Sequence, residues 1–146
     1  MCIIVDTNVA VRVFLNEGDA GLETLHAALV FGRGKLTVVF GGKNRRELVV
    51  NRRVAVALQA LEQAGRARAE DDDRVDSEQA RIETRGGLSS DDGHVLALAA
   101  VSGVRLLVTA DRDLMNDFRD HRLVHSPRGK VYSAASHRQL IARSCR

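Results

Sequence analysis

The sequence predicts an α/β protein, a three-layer α/β/α sandwich around a central parallel sheet. Three observations carry this. Short apolar runs rich in β-branched residues, at 2–5, 36–40 and 105–109, have the composition of strands buried on both faces. Stretches with apolar residues at helical spacing alternate with them, the pattern of strands joined by crossover helices. A chain of 146 residues, 45% apolar and 28% charged, suits one domain with its own core. No linker or internal repeat divides it, so residues 1–146 are expected to form a single domain with a basic tail from about 126.

Taken in order, residues 2–5 open as a strand and 7–15 follow as a helix, broken by Gly18 and Gly21. Leu22, Leu25, Ala28 and Leu29 space a helix over 22–31, closed by Gly32 and Gly34. After the strand at 36–40, Gly41 and Gly42 lead into one long helix over 43–64, ended by Gly65. Residues 66–69 make a short, poor strand, 70–73 an acidic run expected on a solvated surface, and 75–84 a helix. Ser89 and Ser90 are expected to cap a helix over 91–102 that stops at Gly103. The strand at 105–109 leads to a helix over 111–118 and a last short strand at 123–125. Beyond Pro127, the only proline, an irregular tail carries a final helix over 136–143.

Two cysteines, Cys2 and Cys145, sit at opposite ends of the chain, which leaves a single disulfide geometrically open without implying one. No Cys-x-x-Cys pair offers a thiolate zinc site. The first apolar run is interrupted at Asp6, too early for a secretory leader, and no run has the length of a membrane span. A soluble cytoplasmic protein with no membrane partner is the expectation. The balance of 22 Lys+Arg against 19 Asp+Glu gives +3 and a pI near 9.3, compatible with a nucleic-acid partner without demanding one. Five aromatic residues and no Trp make base stacking a poor mode of contact.

In a parallel sheet, ligands gather outside the carboxyl ends of the strands, near the reversal of strand order. Asp6 stands where the first strand ends, and Asp111 just past the strand at 105–109. Asp92 lies in the first turn of the helix leading into that strand, and Glu47 in the first turns of the helix after the second strand. Four carboxylates from four segments are thus expected at one sheet edge. Gathered like charges repel and raise one another's pKa. A hard divalent cation relieves this, and Mg²⁺ or Mn²⁺ among carboxylate and water oxygens is the hardware of phosphodiester hydrolysis. Each acid also has a plain structural reading. Asp6 and Asp111 suit helix caps, Asp92 suits a helix dipole, and Glu47 suits an ion-pair cluster with Lys43, Arg45 and Arg46.

Three stretches in register decide between these readings: I-I-V-D-T-N-V at 3–9, S-D-D-G-H-V-L-A-L-A at 90–99, and L-L-V-T-A-D-R-D-L at 106–114. Together, in order and spacing over residues 1–118, they resemble the PIN-domain family, most closely its small single-domain toxin ribonucleases of VapC type. The resemblance implies a PIN-like, flavodoxin-like sandwich and metal-dependent RNA cleavage, leaving 5′-phosphate and 3′-hydroxyl ends. It assigns Asp6, Glu47, Asp92 and Asp111 as the catalytic, metal-holding acids. Asp91 rivals Asp92, which is preferred because Asp-x-His leads directly into Val-Leu-Ala-Leu-Ala as in the family. Asn8 and Thr109 are supporting candidates that orient a carboxylate or bound water. Asp113 is an accessory candidate, read mainly as solvent-facing or helix-capping. His94, two residues beyond Asp92 and off its helix face, reads as structural or surface. The fragment S-P-R-G-K-V-Y at 126–132 is also similar to some PIN proteins but lies outside the catalytic motif. Two departures stand out: the acidic run at 70–73 where the family has a clear third strand, and a tail after Phe118 that is long and basic.

Basic residues supply the expected RNA surface. Lys43 and Arg46, near the helix start beside the acids, are the candidates for holding backbone phosphates. Arg45, Arg52 and Arg53 on the same expected helix, and Arg128, Lys130, Arg138, Arg143 and Arg146 in the tail, add charge. The resemblance further implies a protein antitoxin and a homodimer. Two other functions compete: a catalytically inactive PIN-fold RNA-binding or scaffold module, and a signalling receiver domain. The second needs a phospho-accepting Asp after a central strand, where this chain has Gly41 and Gly42.

Overall fold

The computed structural model describes residues 1–18, 20–32 and 36–142. Among the described residues, five strands form one parallel sheet: β1 (Cys2–Val5), β2 (Thr37–Phe40), β3 (Ala67–Ala69), β4 (Leu106–Val108) and β5 (Lys130–Tyr132). The spatial order is β3-β2-β1-β4-β5. Cys2 registers with Thr37, Ile4 with Leu107, Val38 with Ala67, and Leu107 with Val131. From β1 the chain steps outward to β2 and β3, then crosses back to β4. The order therefore reverses between β1 and β4, where α/β sheets open their ligand crevices. The layers are those expected. The strand order is not that of flavodoxin, 2-1-3-4-5, so the likeness to that fold is one of layers alone.

The seven described α-helices are α1 (Ala10–Leu15), α2 (Glu23–Val30), α3 (Gly42–Leu48), α4 (Arg52–Gln63), α5 (Asp72–Arg85), α6 (Gly93–Ser102) and α7 (Arg112–Arg119). Alternation along the strands sorts the core into two halves. Ile3, Val5, Val38, Phe40, Leu106, Val108 and Tyr132 pack against α1, α2 and α4. Cys2, Ile4, Val39, Leu107 and Val131 pack against α5, α6 and α7. Ile3 and Ile4 are completely buried, each worth roughly 1.5–3 kcal/mol in removed apolar surface. α6 is buried along Gly93–Ala99 because the sequence there is apolar on every face, the mark of an interior helix.

Three expectations need correction. The long helix over 43–64 is two helices. The chain turns at Val49 and Val50, and Asn51 caps α4 by accepting from Arg53 N–H and Val54 N–H at 3.0 and 3.2 Å. Val50, 84% exposed, has no core to enter at this elbow, and Arg52 and Arg53 leave the helix that carries Glu47. The last strand is not at 123–125. That segment turns, held by Arg105, whose guanidinium donates to the carbonyls of His125 and Pro127, while Val124 packs in the core. The strand is β5, inside the expected irregular tail. Gly129 makes it possible, since a Cβ there would lie 2.1 Å from Phe118 O. Ser89 and Ser90 do not cap α6; Asp92 occupies the cap position.

The tail therefore belongs to the domain: Tyr132 is fully buried, and Leu140 and Ile141 of a 3-10 turn (Ala135–Ala142) pack against the first core half. Arg143, Cys145 and Arg146 lie outside the described residues, as does Gly34. The acidic run follows β3 and works locally rather than merely facing solvent. Asp71 caps α5 by accepting from Arg74 N–H, and Asp72 accepts Gly42 N–H at 2.8 Å. No helix among the described residues is long and apolar enough to cross a membrane.

Candidate active site

The carboxyl edge of the sheet at the strand-order reversal carries the proposed acids. Asp6 follows β1 and Asp111 follows β4, the two strands that flank the reversal. Asp6 is buried. One of its oxygens accepts Thr7 N–H at 2.8 Å, and the other accepts the Thr109 hydroxyl at 2.7 Å. The same Thr109 oxygen accepts Asp111 N–H at 3.1 Å. Asp111 in turn caps α7, accepting Asp113 N–H and Leu114 N–H at 2.9 and 3.2 Å through one oxygen. The cap reading of Asp6 and Asp111 is thus correct as structure and leaves room for function, because a carboxylate accepts more than these bonds.

Asp92 differs. It sits at the cap position of α6 but makes no capping hydrogen bond, and it is half-buried. Glu47 reaches the edge from α3, where the Thr7 hydroxyl donates to its Oε2 at 3.1 Å and Lys43 Nζ lies 3.8 Å from its Oε1. Asn44, one turn earlier on the same face, explains why α3 docks there. Its buried amide donates to Val5 O at 3.0 Å, pinning α3 to the end of β1. Gly42 allows the close approach: its φ is +58°, and a Cβ would lie 2.6 Å from Val75 Cγ1 of α5.

The carboxyls of Asp6 and Asp92 are both shifted by burial and by neighbouring charges. Burial pushes the Asp6 carboxyl above the ordinary aspartate value, the charges of Asp92 and Asp111 push it further, and the Thr109 and Thr7 hydrogen bonds oppose them. Burial also raises Asp92, assisted by Asp111 and Glu47 and opposed by His94 and Lys43. His94 is buried against this cluster with Nε2 3.4 Å from Glu47 Oε2. Burial drives its pKa down, against the pull of Glu47 and Asp92. Reading His94 from its helix face alone missed this contact, which comes from α3. Thr7 and Asn44 were missed for the same reason. Asn44 Oδ1 and His94 Nδ1 are buried without a hydrogen-bond partner among the described residues.

The remaining candidates sort clearly. Asp91 is exposed, and Asp92 is half-buried with its carboxyl raised by burial and by the charges of Asp111 and Glu47. Thr109 contacts two of the acids. Asn8 is exposed and accepts Ala110 N–H at 3.4 Å, bracing the turn after β4. Asp113 is exposed on α7, and only its backbone touches Asp111. Arg46 is engaged bidentately with Asp76 at 3.0 and 3.2 Å, and Arg45 pairs with Asp72 at 3.2 Å, while Lys43 lies beside Glu47. Two surface cavities, of about 380 and 440 Å³, lie elsewhere and touch none of the four acids.

The donor set suits a hard cation in kind, since all four side chains offer carboxylate oxygens. Among the described residues no three Asp, Glu, His or Cys side chains are drawn together closely enough to hold an ion as a group. Magnesium needs fewer, since it keeps several waters and takes one or two carboxylates directly. No family model matches the chain, and no curated protein matches it.

Proposed function

We propose that the chain is a metal-dependent endoribonuclease of PIN type, with Asp6, Glu47, Asp92 and Asp111 holding Mg²⁺ or Mn²⁺. The observation that carries this reading is the hydrogen-bonded linkage of acids at the β1/β4 reversal, Thr109 joining Asp6 to Asp111 and Thr7 joining Asp6 to Glu47. Burying like charges together is unfavourable without a cation, and this edge is where α/β sheets bind ligands. A bound divalent ion supplies charge neutralisation at the phosphoryl group and an activated water.

The chain's own residues supply the rest. Thr109 and Thr7 hold Asp6 and Glu47 in orientation through their hydroxyls. Lys43, beside Glu47, meets the backbone phosphate without reading the base. Buried His94 lies against Glu47, its Nε2 3.4 Å from Oε2. A protein antitoxin that covers this edge, and a homodimer, complete the proposal on the resemblance alone.

The test is cleavage of a single-stranded RNA in Mn²⁺. Wild type is expected to cut. Asp6→Asn is expected to lose at least about a hundredfold in rate, the scale of removing a group that stabilises the transition state, while its circular dichroism stays unchanged. Full activity in Asp6→Asn rejects the assignment. RNA binding without cleavage by wild type favours the inactive scaffold module.

A further inference from the structure

We propose that Asp117 is a positioning residue that sets Asp92 through Ser90. The inference rests on the reading of this sheet edge as a metal-binding nuclease centre. Asp117 lies on α7, six residues beyond Asp111, and is 2% exposed. One of its oxygens accepts Ser89 N–H at 2.8 Å. The other accepts Ser90 N–H at 2.9 Å and the Ser90 hydroxyl at 2.7 Å. Ser90 Oγ in turn accepts Asp92 N–H at 3.3 Å. A continuous chain of hydrogen bonds therefore runs from α7 to the residue that caps α6.

A buried carboxylate is costly to desolvate, and three donors converging on it offset that cost. The arrangement frees Asp92. The loop is anchored by Asp117, so the side chain at the α6 cap position makes no capping bond and is left available at the sheet edge. One helix thereby fixes two of the four: Asp111 as its own cap, and Asp92 through Asp117 and Ser90. Groups that orient a metal ligand from behind govern affinity about as strongly as many ligands do.

The experiment compares Ser90→Ala, Ser90→Thr and wild type by Mn²⁺ titration calorimetry, metal-free thermal melting, and hydrogen exchange of the Asp92 amide. Ser90→Ala removes the hydroxyl link and keeps both backbone bonds to Asp117. Its Mn²⁺ affinity is expected to fall about tenfold and its Asp92 amide to exchange faster, with Ser90→Thr restoring both. A loss of melting temperature in Ser90→Ala with unchanged Mn²⁺ affinity and unchanged Asp92 exchange overturns the proposal and makes Asp117 a plain loop anchor. If wild type takes up no Mn²⁺, the nuclease reading fails. The exchange arm then decides the Asp117–Ser90–Asp92 linkage alone: faster exchange in Ser90→Ala supports it, and unchanged exchange rejects it.

Discussion

Thr109 joins two of the acids through one hydroxyl: its Oγ1 donates to Asp6 Oδ2 at 2.7 Å and accepts Asp111 N–H at 3.1 Å. The bond spans the gap between the ends of β1 and β4, so it holds the strand-order reversal together as well as the site. Thr109→Val keeps the shape and removes the hydroxyl. Leaving a buried carboxylate short of a donor is expected to cost about 1–3 kcal/mol, read as a lower urea midpoint at pH 7. Wild-type stability in Thr109→Val would show that the hydroxyl bond is not holding Asp6.

Asp6 gives the fold a defined pH dependence. Its carboxyl is held above the ordinary value of 3.8, first by burial and then by the charges of Asp92 and Asp111. Between the ordinary and the raised value the folded chain binds more protons than the unfolded chain. Stability contributed by this group therefore falls as pH rises through that window, and the loss persists at neutral pH. Asp6→Asn is expected to be more stable than wild type at pH 7, with the difference closing as the pH falls below 3.8. Urea titrations above and below the window check both arms; a variant less stable than wild type at pH 7 contradicts the direction.

Gly42 is the hinge on which α3 approaches α5. With φ at +58° and a Cβ position 2.6 Å from Val75 Cγ1, Gly42→Ala is expected to lose more than about 1 kcal/mol. Displacing α3 moves Glu47, so catalytic loss should accompany the lower midpoint. A neutral Gly42→Ala would mean that α3 tolerates the shift.

Lys43 and Arg46 separate in their expected effect on RNA. Arg46 is held by Asp76, and Lys43 lies free to exchange Glu47 for phosphate. Lys43→Ala is expected to flatten the dependence of log K on log salt by about 0.7, one phosphate contact on a single strand, and Arg46→Ala to change it less. Fluorescence anisotropy at several salt concentrations measures both slopes. A larger change in Arg46→Ala reverses the assignment.

Much of the fold was legible because β1, β2 and β4 are continuous apolar runs that no other environment suits. β5 was hidden because Lys-Val-Tyr is a very short run with only two apolar residues, while Leu123 and Val124 look more like a strand and lie in a turn instead, Val124 buried and Leu123 partly so. The elbow at Asn51 was hidden because Val49 and Val50 extend the apolar spacing of a helix although both face solvent. At the site, Asp6, Asp92 and Asp111 announce themselves by standing at the ends of recognisable elements. Glu47, His94, Asn44 and Asp117 depend on which helix packs beside which. Ser89 and Ser90 looked like caps because the hydroxyls were visible and their partner, 27 or 28 residues away, was not.

Manganese binding by calorimetry tests the central claim most directly. Wild type is expected to bind Mn²⁺ with a dissociation constant below roughly millimolar, and Asp6→Asn and Asp92→Asn to bind at least about tenfold more weakly while keeping the wild-type circular dichroism spectrum. Wild-type affinity in both variants, or no heat of binding by wild type at millimolar metal, contradicts it.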